Sequence, residues 1–210
     1  MIYSSDHNFL LLKNIKVGGT SLEVDLSNIL PNNAIITPIV PENKFHNPRN
    51  YDGFYNHMPY SEIKNKINLN NVKSYIFVRH PYNTVLSHFF HTLFLCKIEY
   101  FLLTNNEKNI ILNKYFYEIN SDMEFLKSTK YIYTENNVIK VDKILKYENG
   151  IENEINPILI SHKINPVNLV TTEKQYRPQS IKYFDIFNNK ILKTIQDEWH
   201  WEFDNLGYEY

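Results

Sequence analysis

Residues 9–22 read FLLLKNIKVGGTSL, and this stretch decides the fold. Its first four residues are all apolar, which is typical of a strand buried on both faces. Gly18 and Gly19, two of only five glycines in the chain, follow this run, and residues 20–30 then have the amphipathic pattern of a helix. A strand, a glycine turn and a helix N-terminus direct several N–H groups at one point, which suits a phosphate or sulfate. Lys16 adds a positive charge there.

Residues 75–81, YIFVRHP, repeat this order of strand and helix. The run at 73–78 predicts a second buried strand, and Pro81 suits the first turn of a helix. Arg79 therefore lies at the carboxyl edge of the sheet, where open α/β sheets bind ligands. Ser87 lies on the polar stripe of the following helix, so Arg79 and Ser87 are placed to hold one phosphate from two sides. Together the two segments predict a site for a nucleotide-type anion.

The rest of the chain alternates between strand and helix patterns. Further strands are predicted at 34–40, 130–134 and 138–141, the last two as a hairpin. Further helices are predicted at 61–67, 105–127, 151–160 and 183–203. This alternation predicts an α/β fold with a central, mainly parallel sheet flanked by helices, in one domain that spans residues 1–210.

The composition argues against several classes of protein. A formal net charge of −1 argues against broad electrostatic binding of nucleic acid. No apolar stretch reaches the ~20 residues that span a bilayer, and the first residues lack the basic start of a signal peptide. Cys96 is the only cysteine, so no disulfide forms within the chain, and its apolar surroundings predict an inert core thiol. The predicted location is therefore the reducing cytoplasm.

Two motifs resemble a known family. The sequence KVGGTS at 16–21 resembles the 5′-phosphosulfate loop, K-[TV]-G-G-T-[ST], of the carbohydrate sulfotransferases that use 3′-phosphoadenosine 5′-phosphosulfate (PAPS). The sequence FVRHPYNTVLSHF at 77–89 resembles their 3′-phosphate motif, F-V-R-[NH]-P-x-x-R-x-x-S-x-[FY], with Thr84 in place of the family's arginine. Weaker similarities follow in the family's order, so the resemblance covers most of the chain; they lie at 137–149, 182–185 and 204–208.

The resemblance implies a P-loop NTPase-like sulfotransferase fold. It also implies transfer of a sulfuryl group from PAPS to a hydroxyl of a carbohydrate acceptor, with no metal required. By the matched positions, Lys16 would offset charge on the leaving phosphate, and Arg79 and Ser87 would hold the 3′-phosphate. The backbone N–H groups that would cradle the 5′-phosphate belong to Val17, Gly18, Gly19, Thr20 and Ser21.

The acceptor hydroxyl needs a general base, and the loop at 41–60 contains the candidate. Residues 55–60, YNHMPY, resemble the G-H-x-x-[FY] element of related enzymes, which makes His57 the predicted base because imidazole titrates near neutral pH. His46 in the same loop and Glu148 at a strand end are the alternatives. The aromatic residues that flank His57, and that we expect to stack on a sugar, are Tyr51, Phe54 and Tyr55.

Two other functions remain open on the sequence. The first is an ATP- and magnesium-dependent phosphotransferase, although a Walker A motif places its lysine after the glycines and here the lysine precedes them. The second is a non-catalytic module that binds a nucleotide or glycan on the same fold. The presence of Lys16 and of the candidate base His57 argues against that module.

Overall fold

The computed structural model describes residues 1–118, 124, 126–169 and 180–210. These residues group by their contacts into two compact units, each built from two separate stretches of chain. The first unit takes its residues from Met1–Arg79 and Thr129–Lys174, and the second from His80–Ser128 and Gln175–Tyr210. The prediction of a single domain over 1–210 stays a prediction.

The first unit contains a five-stranded sheet and a separate two-stranded hairpin. The strands are β1 (Ile2–Ser4), β2 (Phe9–Leu12), β3 (Ile35–Ile36), β4 (Lys73–Val78), β5 (Thr134–Glu135), β6 (Val138–Ile139) and β7 (Lys143–Lys146). The large sheet has the order β3-β1-β2-β4-β7, and β5 pairs with β6. β2, β4 and β7 run parallel, whereas β1 runs antiparallel to β2 and to β3.

The α/β class is confirmed, but the expectation of a mainly parallel sheet was wrong, because the sheet is mixed. β1 was not predicted, and only residues 5–8 separate it from β2. Parallel neighbours need a connection of about a dozen residues, so this short turn forces an antiparallel pair. β3 covers two residues rather than 34–40, since Pro38 has no N–H to donate to a ladder.

Helices occur in both units. The α-helices are α1 (Gly19–Ile29), α2 (Tyr60–Ile63), α3 (Pro81–Leu95), α4 (Asn105–Asn113), α5 (Ile151–Ser161), α6 (Asn189–Glu198) and α7 (His200–Leu206). Of these, α1, α2 and α5 belong to the first unit and the others to the second. None of the helices in the described part of the chain has both the length and the apolar character needed to cross a membrane.

The core of the first unit is the apolar cluster between the sheet and its helices. The runs that predicted buried strands supply much of it, and α1 and α5 add their apolar faces. Its members include Phe9, Leu11, Val17, Leu22, Leu26, Tyr75, Phe77, Leu145, Ile155 and Leu159, all of them buried. This packing fixes the carboxyl ends of β2, β4 and β7 relative to α1 and α5.

Hydrogen bonds of Arg49 connect the loop at 41–60 to β3 and α1. Its backbone N–H and C=O both bond Ile36, at 3.0 and 2.9 Å, and so cover the outer side of β3. Its guanidinium donates to the carbonyl oxygens of Ser27 and Leu30, each at 2.8 Å. These carbonyls lie at the C-terminus of α1, where an α-helix leaves acceptors without intrahelical partners.

Two predictions for the second unit were wrong. The expected single helix over 183–203 is instead a 3₁₀ turn at Tyr183–Asp185 followed by α6 and α7. The side chain of Asn188 caps α6 by accepting a hydrogen bond from the N–H of Ile191. A new helix therefore begins at Asn189, inside the predicted range. Cys96, expected in the core, is exposed at the C-terminal end of α3, directly after Leu95.

Candidate functional site

The loop between β2 and α1 holds two residues with left-handed backbone. Lys16 has a φ of 59° and Gly18 a φ of 71°, and Gly18 is the residue that precedes the first turn of α1. An α-helix leaves its first N–H groups without intrahelical partners, and the side chain of a glycine cannot cap them. The loop therefore places the positive end of α1 three residues after Lys16, which is half-buried.

Gly18 is packed against residues that follow β7. A Cβ atom built at Gly18 would lie 2.8 Å from Cδ1 of Ile151 and 3.0 Å from Cε2 of Tyr147. Both distances are shorter than ordinary van der Waals contact, and an L-residue is strained at this φ as well. Glycine at position 18 therefore lets the loop approach the start of α5 closely.

We expect Gly18→Ala to lower the free energy of unfolding by about 1–3 kcal/mol, from the backbone strain and the two close contacts. Gly19→Ala is the matched control, because a Cβ there would meet Lys13 Cγ at 3.6 Å, an ordinary contact. Alanine is also favoured over glycine within a helix. Urea unfolding of both variants measures the difference, and equal stability of the two would contradict this account of the loop.

The second predicted turn lies next to the first. β2 and β4 are parallel neighbours, with Leu12 opposite Ile76, so both turns leave the same edge of the sheet. Arg79 follows β4 and its Nη1 donates to the carbonyl oxygen of Lys16 at 2.9 Å. The guanidinium Cζ lies 4.2 Å from the centre of the Tyr147 ring. The structure thus brings Arg79 into direct contact with the glycine loop.

His57 lies beside the same loop, half-buried, with a left-handed φ of 62°. Its Nδ1 donates to the carbonyl oxygen of Lys13 at 3.0 Å. Burial, together with the positive charge of Lys13, lowers the pKa of His57 to about 4 from its ordinary value of 6.5. The imidazole is therefore neutral at physiological pH, and the proton on Nδ1 leaves Nε2 as the basic nitrogen. A pKa of about 4 differs from the near-neutral titration expected from the sequence and makes this nitrogen a weaker base than a free imidazole.

A buried ion pair lies beneath the loop. The ammonium of Lys13 contacts the carboxylate of Glu23 on α1, and the Met1 amine lies 3.3 Å from the same carboxylate. The side chains of Lys13 and Glu23 are 8% and 3% exposed, respectively. The two cations keep the pKa of Glu23 below its ordinary value although burial acts to raise it, so Glu23 stays ionised.

The two alternative bases occupy different settings. His46 is buried, and its Nε2 contacts the carbonyl oxygen of Thr37 at 3.0 Å, a bond that holds the loop at 41–60 to the sheet. Glu148 is exposed on the 3₁₀ turn Tyr147–Asn149, which follows β7. Their catalytic roles stay predictions, although the burial of His46 favours a structural role.

The remaining predicted residues lie at the start of α1 or on α3. Thr20 is half-buried and Ser21 buried in the first turn of α1. Ser87 is half-buried on α3 and belongs to the second unit, as does the buried Thr84. The part of Ser87 in ligand binding stays a prediction.

An exposed aromatic pair lies near His57 in sequence. Tyr51 and Tyr55 are 39% and 46% exposed, whereas Phe54 is half-buried. The hydroxyl of Tyr55 donates to Glu62 at 2.8 Å, and burial with this bond raises the pKa of Tyr55 to about 12. The tyrosine therefore stays protonated and presents a neutral ring.

Three residues of this site were not predicted from the sequence: Lys13, Glu23 and Tyr147. A lysine directly after a buried strand was the one available signal for the first. Among the residues that the structure describes, no three His, Cys, Asp or Glu side chains come together as metal ligands. Comparisons of the chain with protein-family models, with curated proteins and with solved structures give no match.

Proposed function

We propose that this chain is a sulfotransferase that binds PAPS on a P-loop-like strand–loop–helix and sulfates a hydroxyl of a carbohydrate. The observation that carries the proposal is the bond from Arg79 to the carbonyl oxygen of Lys16, at 2.9 Å. It joins two cation-bearing turns that leave one edge of the sheet, where ligands of α/β proteins bind. Two adjacent cationic turns suit a ligand with two separate phosphate groups.

The hydrogen-bond donors and positive charges of the two turns fit such a nucleotide. The N-terminus of α1 and the backbone of residues 17–21 suit the 5′-phosphosulfate, since N–H groups and the helix dipole both favour an anion. Arg79 suits the 3′-phosphate, because a guanidinium can offer two parallel N–H bonds to phosphate oxygens.

The bound donor supplies a sulfuryl group and a phosphate leaving group: the acceptor oxygen bonds to sulfur as the bond from sulfur to the 5′-phosphate oxygen breaks. Nε2 of His57 takes the proton of the acceptor hydroxyl, which its neutral state allows at physiological pH. The Lys16 ammonium offsets the negative charge that grows on the leaving phosphate.

A carbohydrate acceptor is supported by the loop that contains His57. Tyr51 and Tyr55 expose a large part of their rings beside the proposed base in sequence. Aromatic faces combine an apolar surface with a polar edge, and sugars present both kinds of surface. A cytoplasmic location is proposed with it, since a chain with a single cysteine makes no internal disulfide.

Isothermal calorimetry with adenosine 3′,5′-bisphosphate tests the binding step. We expect binding of one nucleotide per chain without added metal, and weaker binding of ATP with or without magnesium. Incubation with PAPS and a panel of glycans then tests transfer. Absence of binding would refute the proposal, magnesium-dependent ATP turnover would favour a phosphotransferase, and tight binding without transfer would indicate a non-catalytic module.

We expect Tyr147→Ala to weaken binding of adenosine 3′,5′-bisphosphate by about 2- to 30-fold, because a cation–π contact contributes about 0.5–2 kcal/mol. The Tyr147 ring supports Arg79 on one side and lies against Gly18. Tyr147→Phe keeps the ring and is expected to retain affinity. A Phe variant as weak as the Ala variant would assign the effect to the hydroxyl instead of the ring.

A further inference from the structure

Lys13 contacts three parts of the candidate site from one buried position. Its ammonium pairs with Glu23 on α1, and its stem would lie 3.6 Å from a Cβ at Gly19. Its carbonyl oxygen accepts the bond from Nδ1 of His57, at 3.0 Å. One residue thus joins the end of β2, the first turns of α1 and the imidazole.

We propose that Lys13 is a positioning residue for His57: its carbonyl oxygen holds the imidazole as the Nδ1–H tautomer, and its ion pair with Glu23 holds that carbonyl in place. The inference rests on the base role of His57 in the proposed function. A neutral imidazole carries one hydrogen, and a carbonyl oxygen can only accept. The bond therefore assigns the hydrogen to Nδ1 and leaves the lone pair of Nε2 for the acceptor proton.

The buried pair has no evident value for stability alone. Removing two charges from water costs free energy that their attraction does not reliably recover, and apolar residues of similar volume often serve as well. Lys13 and Glu23 are nevertheless almost fully buried directly below the loop. Fixing one geometry of the Lys13 backbone is a role that an apolar pair, with no directional bond, would fill less well.

The charge of Lys13 also acts on the imidazole. The charged groups that influence His57 are the Lys13 ammonium, the Met1 amine and the Glu23 carboxylate. Burial has the largest effect and opposes protonation of the ring, as do both cations, whereas the bond to the Lys13 carbonyl oxygen and the Glu23 carboxylate favour protonation. The ammonium of Lys13 therefore helps to keep His57 neutral, while its carbonyl oxygen orients the ring.

The test is an NMR titration of His57 in the full chain, tagged at its C-terminus so that the Met1 amine is preserved. His57→Asn identifies the His57 signals among those of the eight histidines. The variants are Lys13→Met, which removes one cation, and Glu23→Gln, which removes the carboxylate. Lys73→Met is the control, because Lys73 is an exposed lysine that pairs with Asp142 at the start of β4.

We expect the pKa of His57 to rise in Lys13→Met, to fall in Glu23→Gln and to stay unchanged in Lys73→Met. A residue with only a structural role would move the pKa in the same direction in both buried variants, toward the ordinary value of histidine. Shifts of the same sign, or no shift in Lys13→Met, would overturn the inference. If Lys13→Met fails to fold, the direction in which the pKa of His57 shifts in Glu23→Gln still tests the inference.

Nitrogen chemical shifts at pH 7 give a second readout, since they distinguish a protonated ring nitrogen from an unprotonated one. We expect hydrogen on Nδ1 of His57 in the wild-type chain, and hydrogen on Nε2 would overturn the inference. Neither measurement uses PAPS or an acceptor. Failure of the sulfotransferase proposal would therefore appear in the binding and transfer assays without changing these spectra.

Discussion

His57→Asn is expected to lower turnover by about 10²–10⁴-fold, the contribution typical of general acid–base catalysis. Asparagine is the suitable replacement because it tolerates the left-handed φ of 62° better than most residues. Its amide N–H can also donate to the carbonyl oxygen of Lys13, as Nδ1 of His57 does. The variant thus removes the basic nitrogen while preserving the loop, and binding of adenosine 3′,5′-bisphosphate should remain.

The pH dependence of the rate gives a sharper criterion for His57. With a pKa of about 4, the wild-type chain should show the acidic limb of kcat/KM near pH 4 rather than near 6.5, and His57→Asn should lack it. An unchanged limb in His57→Asn would refute the role. Loss of the limb in His46→Gln or Glu148→Gln would move the base to that residue.

The lowered pKa of His57 also predicts how the free energy of unfolding depends on pH. The unfolded chain binds the imidazole proton more tightly than the folded chain does. The free energy of unfolding should therefore fall as the pH decreases from about 6.5 toward 4. His57→Asn should show a smaller fall across this range. Urea unfolding at several pH values isolates the contribution of His57 as the difference between the two proteins.

Lys16→Met is expected to lower kcat by about 10²–10³-fold, the loss seen when one stabilising donor for developing charge is removed. The affinity for adenosine 3′,5′-bisphosphate should change far less, because the ammonium meets charge that grows only in the transition state. Lys16 contacts Arg79 through its backbone carbonyl, so the substitution leaves that bond available. Methionine also accepts the left-handed φ at the same cost as lysine.

Single-turnover rates and calorimetry together measure this separation for Lys16. Lys16→Arg is the matched variant, since it keeps the positive charge while changing its shape. Equal losses of affinity and turnover in Lys16→Met would show that Lys16 is a binding cation with no special role in the transition state.

The parts of the fold that could be predicted were those encoded by short-range pattern. The apolar runs at 9–12 and 73–78 are strands at those positions, and the helices that follow them begin at Gly19 and Pro81. A run buried on both faces has a composition that few other structures share. A hairpin was also predicted here, and Asn136 and Asn137 adopt the left-handed φ that its two-residue turn requires. Its first strand was predicted at 130–134, which was wrong, because Ser128–Ile132 is a 3₁₀ turn and β5 covers only Thr134–Glu135.

The parts that failed depend on how the segments pack in the folded chain. β1 has three residues and is a strand because β2 and β3 lie on either side of it, which no local pattern records. The break between α6 and α7 falls at Trp199, inside a run whose apolar residues continue at helical spacing. Local periodicity shows which face of a segment is buried and does not show where the helix axis changes direction.

The residues of the candidate site also fall into those that a short-range pattern indicates and those that it does not. Lys16 and Arg79 follow buried strands and were predicted, and parallel pairing of β2 with β4 brings them together. Tyr147 and Glu23 were not predicted, because each acts through contact with a residue of another segment. Tyr147 stacks on Arg79 and Glu23 pairs with Lys13, and these contacts exist only in the folded chain.

Both edges of the five-stranded sheet, as far as the described residues define it, are poor templates for another chain. At one edge β3 has two residues, and Arg49 already takes both backbone bonds of Ile36. At the other edge β7 has four residues and carries a lysine at each end. Short strands, occupied backbone groups and positive charge all hinder edge-to-edge addition of a foreign strand. The two edge strands thus disfavour aggregation by strand addition to this sheet.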